Sequence, residues 1–255
     1  MRFETIPYII KEGETIKVTE KKLCLIEALD SEPCEVLYTV RNNEENSFSL
    51  QSNWRGLIAL DVMQFKVSKG RLRFFDMDLM KLVKLQVFID YSNGNIEVGS
   101  SNESNWLSFS KEIKLIQPED MEYWLLQQAM QTGDKVDSIV AFLRHTECYN
   151  LVHFLLSETD DNNQCLQTLC VRYGLSAAHF RRLTRHALGH TTKVTLREWR
   201  MTKAILAFIN DPKNMTDIAF AHGYSSLSHF SNDVKKMLGM TPRALRKSIL
   251  DIAMK

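Results

Sequence analysis

The sequence predicts an α+β chain: a strand-rich N-terminal domain with helices over residues 1–133, then an all-α domain over 134–255. Three observations predict it. Short apolar runs punctuated by turn formers fill the first 75 residues, apolar positions then switch to helical spacing, and one helix-turn-helix pattern occurs twice near the end.

In chain order, residues 22–29 (KLCLIEAL), 36–40 and 47–51 are strand-like runs bounded by Ser31-Glu32-Pro33 and Asn42-Asn43. Residues 56–66 (GLIALDVMQFK) and 71–75 add two more strands. The period then changes. Within 76–90, Leu79, Leu82, Val83, Val87 and Phe88 share one helical face, and Ser92-Asn93-Gly94 ends the helix. That stripe can bury in the domain core, pair with a second copy of the chain or receive a partner protein. Residues 99–105 (GSSNESN) form a polar loop. Pro118 suits the first position of a helix whose N-terminal dipole Glu119 and Asp120 complement. It continues through Tyr123, Trp124, Leu125 and Ala129 to Thr132-Gly133. A further helix over 136–156 carries Ile139, Phe142, Leu143, Leu151, Phe154 and Leu155, before an exposed turn at 159–163. The domain boundary falls between Gly133 and Asn163 and is drawn at 133/134.

The all-α domain holds the repeat. In residues 165–189, Leu166, Leu169, Cys170 and Tyr173 lead to Gly174, and Ser176 caps a helix carrying Phe180, Leu183 and Leu188. In residues 215–239, Thr216 caps a short helix with Ile218, Ala219 and His222, and Gly223 ends it. Ser225 or Ser226 then caps a helix on which Leu227, Phe230, Val234, Met237 and Leu238 recur. Gly174 and Gly223 lie 49 residues apart, and Phe180 and Phe230 lie 50 apart. Between the units a connecting helix, 193–209, takes its apolar contacts from Leu196, Trp199, Ile205, Leu206 and Phe208, with Arg197, Arg200 and Lys203 on other faces. Trp199 sits at core spacing rather than as a base-stacking ring. Two such units on one strut are hard to explain except as a device for reading DNA.

Charge supports that reading. From Cys165 to Lys255 there are 15 Lys and Arg against 5 Asp and Glu, a net of +10. Of the chain's 32 basic and 31 acidic residues this leaves 17 against 26 for Met1–Gln164, a net of −9. A basic end on an acidic body points to a polyanionic partner for one part only. Five cysteines without a CxxC spacing give neither a disulfide framework nor a zinc site. Cys165 and Cys170 near His179 could be imagined as metal ligands, but Cys170 lies on the apolar stripe and reads as core. No signal peptide, no run of 18 apolar residues and no dense Lys/Arg run is present, so a cytoplasmic protein without membrane contact is expected, in a cell without a nuclear import requirement. Catalysis is not expected: Ser228-His229 lacks a GxSxG elbow, and neither HExxH nor a phosphate-binding glycine loop accompanies it. No cofactor or metal is expected.

The string Tyr173-Gly174-Leu175-Ser176, His179-Phe180-Arg181-Arg182-Leu183, Leu188-Gly189, Arg197-Glu198-Trp199-Arg200, Ile218-Ala219, Gly223-Tyr224, Ser228-His229-Phe230, Gly239 and Thr241-Pro242-Arg243 resembles the AraC/XylS family of bacterial transcription regulators. Within that family Glu122-Tyr123-Trp124, Leu126-Gln127-Gln128, Trp199-Arg200-Met201 and residues 222–226 make the chain most similar to activators of type III secretion genes, over about 119–250. The resemblance implies promoter DNA and RNA polymerase as partners. It also implies a secretion chaperone as co-activator in place of a small ligand, although a ligand bound by the N-terminal domain stays as the alternative. A homodimer is compatible with either.

Each reading helix must bury one stripe and present the other to the major groove. In the first unit this leaves Ala177, Ala178, Arg181, Arg182 and Arg185 outside; the resemblance places Ala178, Arg181 and Arg182 nearest the bases and Arg185 nearer the phosphates, with Ser176. Arginine reads guanine O6 and N7 with two hydrogen bonds, and Ala178 can pack on a thymine methyl. In the second unit Leu227, Ser228, Ser231 and Asn232 face outward, and Ser225, Ser226, His229, Lys235, Arg243 and Arg246 are placed at phosphates. Asn232 stands where the family often has arginine, and Val234 where it often has an aromatic residue, so the first unit is expected to supply most of the discrimination.

Overall fold

Residues that alternate in burial build two antiparallel sheets in the N-terminal part of the computed structural model, which describes residues 6–40, 44–92, 107–109, 117, 120–130, 138–158, 165–210 and 215–253. The strands are β1 (Tyr8–Ile10), β2 (Thr15–Val18), β3 (Lys22–Ala28), β4 (Cys34–Thr39), β5 (Glu45–Leu50), β6 (Arg55–Leu60), β7 (Met63–Lys69), β8 (Leu72–Asp76) and β9 (Leu107–Phe109). One sheet has the order β1-β8-β3-β6-β9 and the other β2-β7-β4-β5. Facing side chains such as Ile26, Ile58, Phe74, Val36, Phe65 and Val67 form the core, with Phe65 edge-on to Phe74 at 5.7 Å. The packing is dense. Beside Tyr8, Ile16, Phe65 and Phe74 it leaves a cavity of about 20 Å³, room for roughly one water molecule.

β3 and β6 read as continuous apolar runs because both of their faces are covered. Cys24, Ile26, Ile58 and Leu60 point into the intersheet core, and alternation sends the equally buried Leu23, Leu25, Leu57 and Ala59 to the other face. On that side α3 (Ser138–Arg144) lies on β6 and β9, and α1 (Leu79–Ser92) packs against α3 and α2 (Met121–Met130).

Several expectations change on contact with the structure. The helix expected over 136–156 is two, α3 and α4 (Glu147–Ser157). Thr146 breaks it: its Oγ1 accepts the Tyr149 N–H at 3.1 Å, and it donates to the Leu143 carbonyl at 2.8 Å, so one threonine stops α3 and caps α4. On α1 Phe88 is 41% exposed, whereas the polar Gln86 and Asp90 are buried. The reason is a polar cluster. Gln86 Nε2 donates to Asp90 at 3.0 Å, Arg144 Nε and a terminal nitrogen donate at 2.9 and 2.6 Å, and the Tyr149 hydroxyl donates at 2.6 Å. The short strands β1, β2 and β9 were not expected. The polar loop at 99–105, the start of the Pro118 helix and the turn at 159–163 lie outside the described residues.

The chain divides into two compact units, Met1–Asn150 and Leu151–Lys255. The second is all-helical: α5 (Leu166–Tyr173), α6 (Ala177–Leu188), α7 (Thr192–Asn210), α8 (Met215–Ala221), α9 (Leu227–Leu238) and α10 (Pro242–Ala253), preceded by most of α4. Among the described residues no helix is long and apolar enough to cross a membrane.

Candidate nucleic-acid interface

The two helix-turn-helix units are built by the same local chemistry. Gly174 and Gly223 hold φ at 80° and 75°, a left-handed conformation that glycine adopts without penalty. In the first turn the N–H groups of Gly174 and Leu175 return to the carbonyls of Val171 and Cys170 at 3.1 and 3.0 Å. In the second, Gly223 and Tyr224 return to Phe220 and Ala219 at 2.9 Å each. Ser176 Oγ then accepts the His179 N–H at 3.3 Å, and Ser226 Oγ accepts the His229 N–H at 3.1 Å, capping α6 and α9. Thr216 does not cap α8, which already begins at Met215 and contains it.

The repeat is longer than two helices. Gly189 and Gly239 end α6 and α9 with φ of 74° and 73°, and each is followed three residues later by a further helix, α7 or α10. α10 was not expected, although Thr241-Pro242 is a readable start: the Thr241 hydroxyl accepts the Ala244 N–H at 3.3 Å, and proline suits the first helical position.

α6 buries Phe180, Leu183, Thr184, Ala187 and Leu188, with Tyr173 edge-on to Phe180 at 5.7 Å. The opposite face exposes Ala178, Arg181, Arg182 and Arg185. Arg181, Arg182 and Arg185 line one shallow depression together with His186, which the sequence reading passed over although it stands one turn beyond Arg182. Among the described residues these three arginines make no ion pair, whereas Arg172 binds Glu158 at 2.7 Å and Arg197 binds Asp233 at 3.4 Å. The charge of α6 therefore faces solvent.

α9 is different. Phe230 and Val234 are buried against Met201, Ala204, Ile205, Ala219 and Tyr224. The stripe stops there, because Met237 and Leu238 are each 42% exposed. Leu227, expected among the base-reading positions, is half-buried and packs on this core, so its side chain does not belong to the outward face. Ser228 and Asn232 are exposed and Ser231 half-buried. Of the residues placed at phosphates, Ser225, His229, Lys235 and Arg243 are exposed, and Ser225 Oγ lies 3.2 Å from His229 Nδ1. Arg246 is half-buried on α10, its Nε buried without a hydrogen-bond partner.

The connecting helix α7 buries Met201, Ala204, Ile205 and Phe208, three and four residues apart. Leu206 falls off that arc and is 55% exposed, against expectation, and Trp199 is half-buried. Four of the five cysteines are buried, and burial pushes Cys34 and Cys148 up to about 11, leaving those thiols protonated and unreactive.

A family model described as a helix-turn-helix domain matches residues 169–248. The chain is 37% identical to the invasion protein InvF of Salmonella typhimurium over 182 residues, which cover 71% of this chain and 83% of that protein. It is 31% identical to the transcriptional regulator MxiE of Shigella flexneri over 193 residues, 71% of this chain and 91% of that one. Among solved structures it aligns with ToxT of Vibrio cholerae over 94% of this chain and 96% of that chain, at 13% identity and a TM-score of 0.36.

Proposed function

We propose that this chain, which belongs to the AraC-type helix-turn-helix transcription regulators, activates invasion and type III secretion genes together with a secretion chaperone. Membership makes it a DNA-binding regulator homologous to InvF and MxiE, and those relatives are regulators rather than enzymes. The observation that carries the finer reading is the extent of the InvF likeness, 83% of that protein, which reaches well beyond the 80 residues of the matched helix-turn-helix domain.

In this reading the acidic N-terminal domain, 1–133, is regulatory, and 134–255 binds promoter DNA in the bacterial cytoplasm and engages RNA polymerase. Arg181 and Arg182 read bases, Ala178 packs beside them and Arg185 binds phosphate, because they share one exposed face without acidic partners. Ser228, Ser231 and Asn232 make a weaker second reading head, anchored by Lys235 and Arg243. Arg181→Ala should weaken binding to the preferred site by about 1–3 kcal/mol and relax the preference at one base pair. Asn232→Ala should cost well under half of that. Equal relaxation by both variants in a binding-site selection would remove the division of labour. The regulatory role is tested by a reporter in cells with and without the candidate chaperone. Deleting residues 1–117 should retain specific DNA binding and abolish the chaperone response; a response that persists would move the docking site into α2–α4 or the DNA-binding half.

A further inference from the structure

Both reading helices are tied to α7 by polar contacts that the DNA-binding role does not itself require. On the first side, Thr192 at the start of α7 donates its hydroxyl to Thr184 Oγ1 of α6 at 3.1 Å, and Thr184 passes a hydrogen bond to the Arg181 carbonyl at 3.1 Å. Both threonines are buried, at 1% and 5% exposure. On the second side, Arg197 of α7 meets Asp233 of α9 at 3.4 Å. Asp233 is the sole acid on α9, and its side chain is only 14% exposed. At the repeat-equivalent position α6 carries the buried Leu183, so the ion pair is peculiar to the second unit. Tyr224, buried in the turn before α9, has its hydroxyl titration raised first by burial and then by Asp233, and lowered by Arg200 and Arg197. The low exposure of the carboxylate and its contact with Arg197 place it against α7.

An acid on a helix that approaches phosphate is unfavourable unless it serves something else. We propose that α7 registers the two reading helices through these polar clasps, so that Thr184, Thr192, Arg197 and Asp233 are positioning residues that set which spacing of DNA contacts the protein accepts. Thr192 and Arg197 are five residues apart, about 7.5 Å along the helix axis. Both clasps therefore sit within the first two turns of one rigid element. A recognition constellation tolerates about 0.5 Å of displacement before its contacts degrade, and a clasp near the middle of each 12-residue helix, at Thr184 and at Asp233, limits how far the helix can tilt or slide on α7. The partly exposed Arg197–Asp233 pair adds little to stability. Its effect is on geometry.

The inference rests on α6 and α9 being the reading helices, and the test separates its failure from theirs. The full chain is measured on its selected site and on the same site with one base pair inserted between the two contacted segments. The wild-type chain should lose about tenfold or more on the insertion, the scale of losing one good base contact. Asp233→Asn and Thr184→Val should each shrink that penalty to about threefold or less, while Asp233→Glu and Thr184→Ser, which keep the clasping groups, should retain it. Arg197→Gln added to Asp233→Asn should change the penalty no further. If Asp233 were only a misplaced charge, Asp233→Asn would tighten binding to every sequence alike and leave the spacing penalty intact, and that result overturns the clasp. If Arg197 were a phosphate contact, its loss would lower the salt slope by about one without altering the penalty, which also overturns it. A wild-type chain indifferent to spacing but selective for sequence overturns the clasp alone; one without a preferred sequence overturns the assignment of the reading helices as well.

Discussion

Replacing Asp90 with alanine should lower the unfolding free energy of the N-terminal unit by about 3 kcal/mol. Asp90 is 1% exposed, and four hydrogen bonds from Gln86, Arg144 and Tyr149 converge on its two oxygens. Removing the carboxylate leaves a guanidinium and a phenol without their acceptor in a partly dry site. Breaking a buried pair from one side costs about 3–5 kcal/mol, and the lower end applies because the Arg144 side chain keeps 22% exposure. The same group makes stability depend on pH. Burial pushes the Asp90 carboxyl upward, but the hydrogen bonds of Arg144, Tyr149 and Gln86 and the Arg144 charge more than offset this and hold it below the usual carboxylate range. A depressed folded value means the unfolded chain binds the proton more tightly. The stabilisation is therefore complete above the unfolded value near ~3.9 and is lost as pH falls through the folded one. Urea unfolding of wild type and Asp90→Asn, followed between pH 6 and pH 2.5, reads this directly. A variant whose stability falls with acid as steeply as wild type, or which loses under 1 kcal/mol at neutral pH, contradicts the assignment.

The legible parts of the chain were those where one local rule acts without competition. The glycine turns and the first serine cap follow from single residues, so Gly174, Ser176 and Gly223 could be placed from spacing alone, while the cap of α9 was open between Ser225 and Ser226 until the His229 N–H decided for Ser226. β3 was legible because a strand covered on both faces is simply apolar, whereas the single strand expected over 56–66 is two, β6 and β7, which belong to different sheets. What failed to show were features decided by distant partners. Thr146 looks like any helix-interior threonine until Tyr149 and Leu143 are in place around it. Gln86 and Asp90 read as the wet side of α1, and only Arg144, 54 residues beyond Asp90, makes their burial tolerable. β1 and β2, three and four residues long, are held by pairing with β8 and β7, a signal that no window of their own sequence contains. On α9, Leu227 fits both an inward and an outward reading because the first turn of a helix borders both faces; packing on the α7–α8 core decides it.

Binding of the full chain to its preferred DNA should fall by about 10³-fold or more between 50 and 200 mM monovalent salt. The charge sits where this requires it. The chain as a whole carries only +1, but residues 165–255 hold 15 basic groups against 5 acidic ones. Of these, Arg172 and Arg197 are engaged by Glu158 and Asp233, while Arg181, Arg182, Arg185, Lys235, Lys236 and Arg243 are exposed along α6, α9 and α10. Two of the α6 arginines are assigned to bases, so the remaining exposed cations, with Arg246, Lys247 and the capped N-termini of α6 and α9, neutralise about six phosphates. Each releases close to one counterion, which for a fourfold rise in salt multiplies to about three decades. A chain holding DNA by apolar contact alone would show no such slope. Met1–Gln164, at −9, should be repelled by the same phosphates, so a fragment lacking residues 165–255 should not bind DNA in the same assay. Fluorescence anisotropy over a salt series measures the slope. Lys235→Ala should reduce it by about one while leaving base preference unchanged, whereas Arg181→Ala should change the preference. A loss below tenfold across that range would contradict a phosphate-anchored complex and detach the charge asymmetry from DNA binding.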